Sequence, residues 1–560
     1  MGFTLAGVIR EWAARTPDRP MLTEGPRTLT WAEHHQRSNQ VAQALLAEGV
    51  GPQDRIAILD KNGIAFFDAI FGAAKINAVL VAINWRLAPQ EMAYVINDAE
   101  ARVLLVGPDF AQMVAGLQDQ LTSVKCVVHV DSHSYGGWLD GRSSEDPGVE
   151  AEADDVAMQL YTSGTTGLPK AANVTHQRLL TWSCWFAGMM DSGPSDRMYN
   201  CLPMYHSIGG VVATGAVLVN GGSVVVRDKF SAHQFWDDIV RFDCTLFQYI
   251  GELCRYLVHT TPHPREREHR LRLCCGNGLR PDVWSEFKNR FQIPRILEFY
   301  AATEGNVTMF NFEGKSGAIG RIPSFLAHRS PTALVKFDVE TGELARNERG
   351  FGIRCRTNEV GEAIGKIFDA GSGLGGRFEG YTDKADSEKK VLRDVFEPGD
   401  AWFRTGDLMR KDESGYFYFI DRIGDTFRWK GENVSTSEVS EAITAFPGIT
   451  AASVYGVAVP GTEGRAGMAA VVSDTVLDLA AFREHLDARL PDYSRPLFLR
   501  VRSEIEVTST FKHKKSDLVR EGYDPAATAD PLYFHDSWRQ AFVPLDRALH
   551  DRIVSGQVRL

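Results

Sequence analysis

The sequence predicts an α/β protein with more than one domain. Its 560 residues exceed what one hydrophobic core usually serves, so at least two domains are expected. Short apolar runs alternate with longer amphipathic segments, a pattern typical of βαβ units around parallel or mixed sheets. Near residue 421 a strand-like run gives way to a charged segment containing Gly424, and this change predicts a domain boundary.

Local patterns predict the individual elements. A helix is expected over residues 31–46, with Thr30 as its N-cap and Glu33 completing a capping box. Residues 209–226 are apolar but interrupted at positions 220–222, which predicts a helix, a turn and a buried strand. Further apolar runs predict sheet strands at residues 55–59, 103–106 and 416–420.

Composition and charge exclude several classes of function. The net charge of −11 argues against a general nucleic-acid binder, because neutralising phosphates needs a basic surface. The eight cysteines form neither zinc-spaced pairs nor the dense framework of a secreted protein, so a reducing cytoplasm is expected. Charged residues appear by position 10, and we expect neither a signal peptide nor a spanning helix there. Peripheral membrane contact and a homodimer stay open.

The segment YTSGTTGLPK, residues 161–170, is the first candidate site. Its glycines let the backbone approach a ligand, while hydroxyls, amides and an ammonium group supply hydrogen bonds and positive charge for phosphate. Only two residues separate Gly164 from Gly167, so this is not a Walker loop. A helix is expected directly after the segment, and a solvated turn is the alternative interpretation. The candidate phosphate-binding residues are Thr162, Ser163, Gly164, Thr165, Thr166, Gly167 and Lys170.

Four further motifs follow in order: LPMYHS (202–207), FYAATEGN (299–306), FRTGD (403–407) and DRIGDTFRWKGENVS (421–435). With the phosphate segment they resemble the adenylate-forming superfamily of acyl-CoA synthetases, luciferases and peptide-synthetase adenylation domains. Four other stretches resemble the branch of very-long-chain acyl-CoA synthetases and fatty acid transport proteins. They are FQYIGELCRYL (247–257), CGNGLRPDVW (275–284), TSTFKHKK (508–515) and DPLYFHDSW (530–538).

The resemblance implies a domain organisation. It predicts a large multi-sheet N-terminal domain over residues 1–423, which binds AMP and the acyl group. A small mobile α+β C-terminal domain over residues 424–560 carries the catalytic lysine. The smaller domain is expected to rotate between two half-reactions about a hinge at Gly424, where relatives usually carry Asp or Lys.

The resemblance also implies how a nucleotide binds. Tyr300 is expected to stack on adenine, and Asn277, next to Gly276, to reach the edge of the base. Asp407 suits both ribose hydroxyls, because an ionised carboxylate only accepts hydrogen bonds. Arg422 is expected to contact ribose or phosphate.

Adenylation gathers negative charge on the α-phosphate, so positioned cations should dominate catalysis. Lys512 stands where the family's catalytic lysine falls, although Phe511 replaces the usual glycine before it. Glu304, after the nucleotide-binding residue Thr303, is expected to act in catalysis by holding Mg²⁺ together with Thr165. A hard cation of this kind prefers oxygen ligands.

The remaining candidates concern the acid and the thiol. His206 is expected to flank the carboxylate, although a lone histidine is more often structural. The apolar residues 208–212 after it suit an acyl tunnel, and plain core is the alternative. Trp429, Lys430 and Gly431 are implied in the thioester step, with CoA as co-substrate.

These inferences predict an acid–thiol ligase with fatty acid, ATP and CoA as substrates, which forms an acyl-adenylate and then a thioester. The long- or very-long-chain class of acid follows from the resemblance alone. One alternative is a ligase for another acid, such as a steroid side chain, or acyl transfer to a carrier protein. Another, of a different class, is a fatty acid uptake protein with coupled activation.

Overall fold

The computed structural model describes residues 3–131, 133–162, 169–301, 306–323, 325, 332–339, 341–368, 387–430, 432–462, 464–506, 515–558 and 560. Packing divides these residues into two units. The first contains the described residues up to Gly320 and the short stretch 387–390, and the second contains the others. The predicted boundary after residue 423 lies within the second unit and stays a prediction.

Two largely parallel sheets organise the first unit. Its strands are β1 (Pro20–Glu24), β2 (Arg27–Thr30), β3 (Arg55–Leu59), β4 (Val79–Ala82), β5 (Val103–Val106), β6 (Cys126–His129), β7 (Val156–Thr162), β8 (Lys170–Thr175), β9 (Arg197–Asn200), β10 (Ser223–Val226), β11 (Leu246–Ile250), β12 (Leu273–Asn277), β13 (Ile296–Ala301) and β14 (Thr308–Asn311). The eight-stranded sheet has the order β14-β13-β12-β11-β9-β10-β1-β2, and the six-stranded sheet has the order β6-β5-β3-β4-β7-β8. Antiparallel pairs occur only at the described sheet edges, as in β13 with β14 and β7 with β8.

Each sheet has a point where the direction of strand addition reverses. In the larger sheet the chain passes from β9 to β10 on one side and then to β11 on the other. In the smaller sheet it passes from β3 to β4 and then to β5 on the opposite side. Such reversals leave crevices beyond the carboxyl ends of β9 and β3, where α/β proteins bind ligands.

Helices cover the sheets of the first unit. They are α1 (Leu5–Arg15), α2 (Trp31–Ala47), α3 (Ile64–Ala74), α4 (Pro89–Asp98), α5 (Ala111–Leu117), α6 (Ser134–Leu139), α7 (His176–Met190), α8 (Ala213–Leu218), α9 (Phe235–Arg241), α10 (Gly251–His259) and α11 (Pro281–Arg290), with 3₁₀ turns at Pro108–Phe110 and Gln118–Gln120 and a π-helix at Ile208–Val212. Apolar residues from both sheets and from α2, α3 and α7 join one buried core.

The second unit contains strands of mainly antiparallel sheets. They are β15 (Gly320–Arg321, at the junction of the units), β16 (Thr332–Val335), β17 (Phe337–Asp338), β18 (Glu343–Leu344), β19 (Gly361–Lys366), β20 (Val391–Arg393), β21 (Ala401–Lys411), β22 (Tyr416–Arg422), β23 (Phe427–Trp429), β24 (Glu432–Val434), β25 (Ile449–Val457), β26 (Ala466–Ser473), β27 (Phe498–Arg502), β28 (Leu532–Asp536) and β29 (Ala541–Pro544). One sheet has the order β15-β22-β21-β19-β16, with β20 beside β21, and another has the order β25-β26-β27-β28-β29. The helices are α12 (Thr436–Thr444), α13 (Leu479–Arg489), α14 (Ser516–Glu521) and α15 (Arg547–Val554), with a 3₁₀ turn at Asp492–Ser494. The five-stranded sheet and its helices share a core of their own.

Several predicted elements are confirmed. Helix α2 begins after Thr30, whose hydroxyl accepts from the Glu33 amide while the Glu33 carboxylate accepts from the Thr30 amide. The segment 209–226 forms the π-helix, α8, a turn and β10, as predicted. The strand predicted at residues 416–420 extends to Arg422. Among the described helices, none is both long enough and apolar enough to cross a bilayer.

Candidate functional site

The two ends of the phosphate segment meet across a strand pair. Thr162 ends β7 and lies opposite Lys170, which begins the antiparallel strand β8. The expected helix directly after the segment is therefore wrong, because residues 170–175 pair with β7 and α7 begins only at His176, capped by Thr175. Residues 163–168, and with them Ser163, Gly164, Thr165, Thr166 and Gly167, lie outside the described residues.

Asn277 and Tyr300 lie on neighbouring strands at the carboxyl edge of the larger sheet. Asn277 is the last residue of β12, Tyr300 is the second-to-last residue of the parallel strand β13, and the register pairs Gly276 with Glu298. The Asn277 side-chain oxygen is buried and has no hydrogen-bond partner among the described residues. Buried polar atoms are almost always paired, so an amide oxygen without a partner at this sheet edge is a candidate acceptor for a ligand donor.

A buried carboxylate holds the turn after Asn277. Glu298, 2% exposed, accepts from the Tyr249 hydroxyl at 2.6 Å and from the Leu279 amide at 3.0 Å. Burial raises the pKa of Glu298 to about 8, against the opposing effect of these hydrogen bonds and one from the Gly278 amide. The sequence analysis missed this residue, and the signal for it was an acidic residue inside an otherwise apolar strand, ILEFYA.

Glycine is required where this turn packs against its neighbours. A Cβ atom at Gly276 would overlap the carbonyl oxygen and the ring of Tyr249. A Cβ atom at Gly251, the first residue of α10, would overlap the Gly278 carbonyl. Close backbone packing therefore fixes the position at which Asn277 leaves β12.

His206 lies beyond the carboxyl end of β9, at the reversal point of the larger sheet. It is half-buried, its amide donates to the Pro203 carbonyl at 3.1 Å, and its carbonyl accepts from the Gly210 amide at 2.8 Å. A Cβ atom at Gly210 would overlap the Met204 carbonyl, so the π-helix folds tightly back on the segment before it. This places His206 at an expected ligand-binding edge of the sheet.

A small apolar cavity of about 30 Å³ lies beside the same π-helix. Gly210 forms part of its wall, and α7 and α8 supply Leu180, Ser183 and Leu218. Phe67 and Phe71 of α3 and Met158 of β7 close other sides. The apolar segment predicted to suit an acyl tunnel thus borders a cavity.

Asp407 and Arg422 pair within the second unit. They lie opposite each other on β21 and β22, with 3.7 Å between Arg422 Nε and Asp407 Oδ1. Asp407 is buried and its amide donates to the Thr405 hydroxyl at 3.1 Å, whereas Arg422 is half exposed. Such a long, partly exposed pair contributes little stability.

The turn that carries Asp407 rests on a second buried carboxylate. Glu362, fully buried on β19, accepts from Arg404 Nε at 2.9 and 3.1 Å and from the Gly406 amide at 3.2 Å. Gly406 has a φ of +76°, a conformation that favours glycine. The sequence analysis missed Glu362, which lies 45 residues before Asp407.

The proposed hinge residue Gly424 has open space around its Cα atom. A Cβ atom there would meet nothing within 4 Å. Beside it, Asp421 accepts from the Thr436 amide at 2.5 Å, and Lys515 donates to the Thr436 hydroxyl at 3.0 Å and pairs with Asp425 at 3.2 Å. Burial raises the pKa of Asp421, and the charge of Lys515 opposes the rise. This network, which the sequence analysis missed, links the strand before the hinge to the helix after it.

Trp429 and Lys430 lie at the end of the β23–β24 hairpin. Trp429 is buried opposite Glu432, and Lys430 is exposed with a left-handed φ of +53°. Gly431 lies outside the described residues.

The predicted catalytic residues Lys512 and Glu304 and the predicted nucleotide-binding residue Thr303 also lie outside the described residues. With Glu304 and Thr165 both absent from the description, the predicted Mg²⁺ site stays a prediction. Within the described part of the chain, no cluster of three His, Cys, Asp or Glu side chains has the geometry to hold a metal ion.

Comparison with known proteins matches both parts of the chain to family models. The model of the AMP-binding enzyme matches residues 9–350, and that of the AMP-binding enzyme C-terminal domain matches residues 438–512. Among solved structures, the anthranilate CoA ligase AuaEII in complex with anthranoyl-AMP has a TM-score of 0.80 at 20% identity, over 94% of this chain and 98% of that one. A Mycobacterium tuberculosis fatty acyl CoA synthetase has a TM-score of 0.65 at 23% identity, over 93% and 98%. These likenesses confirm the predicted fold class.

Relatives of higher identity align along the full chain. Long-chain fatty acid transport protein 1 of Mus musculus is 39% identical over 576 residues, covering 100% of this chain and 88% of that protein. Long-chain fatty acid transport protein 2 of Rattus norvegicus is 38% identical over 580 residues, covering 100% and 92%. The chain therefore belongs to the AMP-binding enzyme family, in the branch of the long-chain fatty acid transport proteins.

Proposed function

We propose that this chain is an acid–thiol ligase that uses ATP to activate a long- or very-long-chain fatty acid and passes the acyl group to CoA. The observation that carries the proposal is the buried amide oxygen of Asn277, which has no hydrogen-bond partner among the described residues and lies at the same sheet edge as Tyr300. An aromatic ring and an unpaired acceptor at one sheet edge suit a flat base with an exocyclic amino group, as in adenine. The names of the relatives, long-chain fatty acid transport proteins, support the class of acid.

In this proposal the nucleotide is bound by the residues that the sequence motifs predict. Asn277 and Tyr300 take the base, and Asp407 accepts hydrogen bonds from the ribose hydroxyls. Arg422 contacts ribose or phosphate. The phosphates lie along residues 162–170, where Lys170 supplies positive charge.

The first half-reaction joins the acid to AMP. A carboxylate is a poor acyl donor, because its leaving group would be oxide, so its oxygen attacks the α-phosphate and pyrophosphate leaves. Lys512 neutralises the charge that develops on the α-phosphoryl oxygens. Glu304 and Thr165 would hold Mg²⁺, which supplies further charge neutralisation when bound.

The acid approaches past His206, and its hydrocarbon enters the cavity beside the π-helix. The cavity volume of about 30 Å³ is too small for a long chain. We therefore propose that apolar side chains such as Leu180 and Leu218 move apart when the chain enters. Burial of each methylene contributes about 0.8 kcal/mol, which offsets this rearrangement.

The second half-reaction transfers the acyl group to the thiol of CoA. The predicted domain 424–560 rotates about Gly424, withdraws Lys512 and brings Trp429, Lys430 and Gly431 to the pantetheine arm. Alternation of this kind lets one cleft exclude water during adenylation and admit CoA afterwards. The open surroundings of Gly424 support a hinge at this position.

A pyrophosphate-release assay tests the proposal. Purified protein with ATP and magnesium is offered fatty acids of graded length, sterol-derived acids and short aromatic acids, with and without CoA, and Lys512→Ala serves as the control. The proposal expects pyrophosphate release with long fatty acids and AMP and acyl-CoA formation once CoA is added. Release with sterol acids alone would favour a different substrate. Fatty acid uptake by cells that express Lys512→Ala, with ligation abolished, would favour a transport role.

A further inference from the structure

The segment Leu202–Ser207, called here the His206 loop, is held by side chains from both sheets of the first unit. It begins where β9 ends and runs into the π-helix Ile208–Val212. Loop backbone at this position has no neighbouring strand to pair with, so its amide and carbonyl groups need other partners.

Asn62 supplies partners from the smaller sheet. It lies just beyond the carboxyl end of β3, at the reversal point of that sheet, and is 6% exposed. Its side-chain amide donates to the Leu202 carbonyl at 2.8 Å and to the Arg227 carbonyl at 3.0 Å, and its oxygen accepts from the Met204 amide at 2.9 Å. One buried side chain thus ties the edge of one sheet to the loop beyond the other.

Asn200 supplies partners from the larger sheet. It is fully buried at the end of β9, donates to the Gly209 carbonyl at 3.0 Å and accepts from the Leu202 amide at 3.1 Å. Both backbone polar groups of Leu202 are therefore held by asparagine side chains. Because Gly209 also packs against the carbonyls before it, the loop and the start of the π-helix form one fixed unit.

We infer that Asn62 is a positioning residue for the acid-activating step, acting through His206 and the Gly209–Gly210 wall of the cavity. This inference rests on the proposed function. Loss of Asn62 leaves three backbone groups unpaired and lets the loop shift, whereas the turn after Asn277 keeps its own anchor, Glu298. The effect therefore falls on the fatty acid rather than on ATP. A misplacement of a reacting group by about 1 Å is enough to cost about a hundredfold in rate.

A double-mutant cycle tests the inference in the full-length protein. ATP–pyrophosphate exchange is measured with a long-chain fatty acid for the wild type, Asn62→Ala, His206→Ala and the double variant, and the affinity for ATP is measured separately. We expect Asn62→Ala to lower kcat/KM for the fatty acid by about tenfold or more and to change the Kd for ATP by less than about threefold. The kcat/KM of the double variant should be at most about twofold below that of the less active single variant, because both changes impair the same function.

Asn311 provides a matched control. It is fully buried and makes three backbone hydrogen bonds, to the Lys315 and Ala318 carbonyls and from the Lys315 amide. Asn311→Ala should lower the stability of the protein. Its effect on ATP–pyrophosphate exchange should be independent of His206, so the fold-reductions caused by Asn311→Ala and His206→Ala should multiply in the double variant. Where Asn62→Ala does not fold, Asn62→Asp keeps the acceptor for Met204, loses both donors and enters the same cycle.

Three results would overturn the inference. They are multiplying effects of Asn62→Ala and His206→Ala, a His206→Ala variant as active as the wild type, and a loss confined to ATP affinity. A wild-type protein without exchange activity on any acid would instead refute the proposed function.

Discussion

Replacing Glu298 by Gln should change how the stability of the protein depends on pH. Glu298 is buried, and it is the carboxylate that holds the Leu279 amide in the turn after Asn277. Burial raises its pKa from 4.5 to about 8. The folded protein therefore binds this proton more tightly than the unfolded chain does.

The direction and size of the effect follow from this difference. The stabilisation from Glu298 is fully present below about pH 4.5 and is lost as the pH rises to about 8. With one pKa unit equal to about 1.4 kcal/mol, the wild type loses about 2.5 kcal/mol between pH 5 and pH 7 through this group alone. Gln cannot ionise, so Glu298→Gln removes this loss.

The assay is urea unfolding of the wild type and Glu298→Gln across this pH range, followed by far-UV circular dichroism. All other titrating groups are shared, so the difference between the two unfolding free energies isolates Glu298. We expect the wild type to lose about 2–3 kcal/mol relative to the variant from pH 5 to pH 7. A difference that varies by less than about 0.5 kcal/mol, or that changes in the opposite direction, would refute the reasoning.

Glu266 offers a control with the opposite shift. It is 9% exposed, and although burial alone would raise its pKa, hydrogen bonds from Arg290 and from the His263 amide lower it below 4.5. A lowered pKa gives stability that is present above about pH 4.5 and lost only as the pH falls further. The difference between the wild type and Glu266→Gln should therefore stay flat from pH 5 to pH 8.

Three other predictions concern substrates. Lys512→Ala should slow pyrophosphate exchange by about 10²–10³-fold while sparing thioester formation from supplied acyl-adenylate. Lys430→Ala should instead impair thioester formation and spare pyrophosphate exchange. Equal losses in both assays for both variants would contradict the rotation of the smaller domain. Leu180 and Leu486 are both 2% exposed, and replacing either by Ala should lower the free energy of unfolding in urea by about 2–4 kcal/mol. Only Leu180→Ala should shift the preferred acyl length in a competition assay. Asp407→Ala should raise the Kd for ATP by about tenfold or more in equilibrium titration, because charge-assisted hydrogen bonds to ribose are lost, and an unchanged Kd would exclude this role.

Helices and strands that depend on residues close together in the sequence could be predicted from it. The capping box at Thr30 and Glu33 involves residues three apart, and the strand at Arg55–Leu59 is a plain apolar run. The helix expected directly after residue 170 was wrong for a local reason as well. The segment is short and rich in small residues, so its hydrophobic periodicity does not distinguish a hairpin strand from the start of a helix. Residues 170–175 form a strand because they pair with β7, which is a tertiary contact.

Residues whose partners lie far away in the sequence could not be predicted. Asn62 acts on a loop 140 residues away, and Tyr249 reaches Glu298 across 49 residues. One sequence carries no record of which distant positions meet. Polar residues within apolar surroundings were the only local sign of them, and the same sign accompanies many residues with ordinary structural roles.

The described motifs share one physical arrangement. A buried polar side chain from another element holds each loop: Glu298 holds the turn after Asn277, Asn62 the His206 loop, Glu362 the Gly406 turn and Asp421 the Thr436 amide. Burying such a group without partners costs about 1–3 kcal/mol, so each anchor persists only while the loop keeps its backbone groups in place. The coupling works in both directions, because the loop in turn needs the anchor. Changes at these positions should therefore impair substrate binding before they unfold the sheets, which have cores of their own.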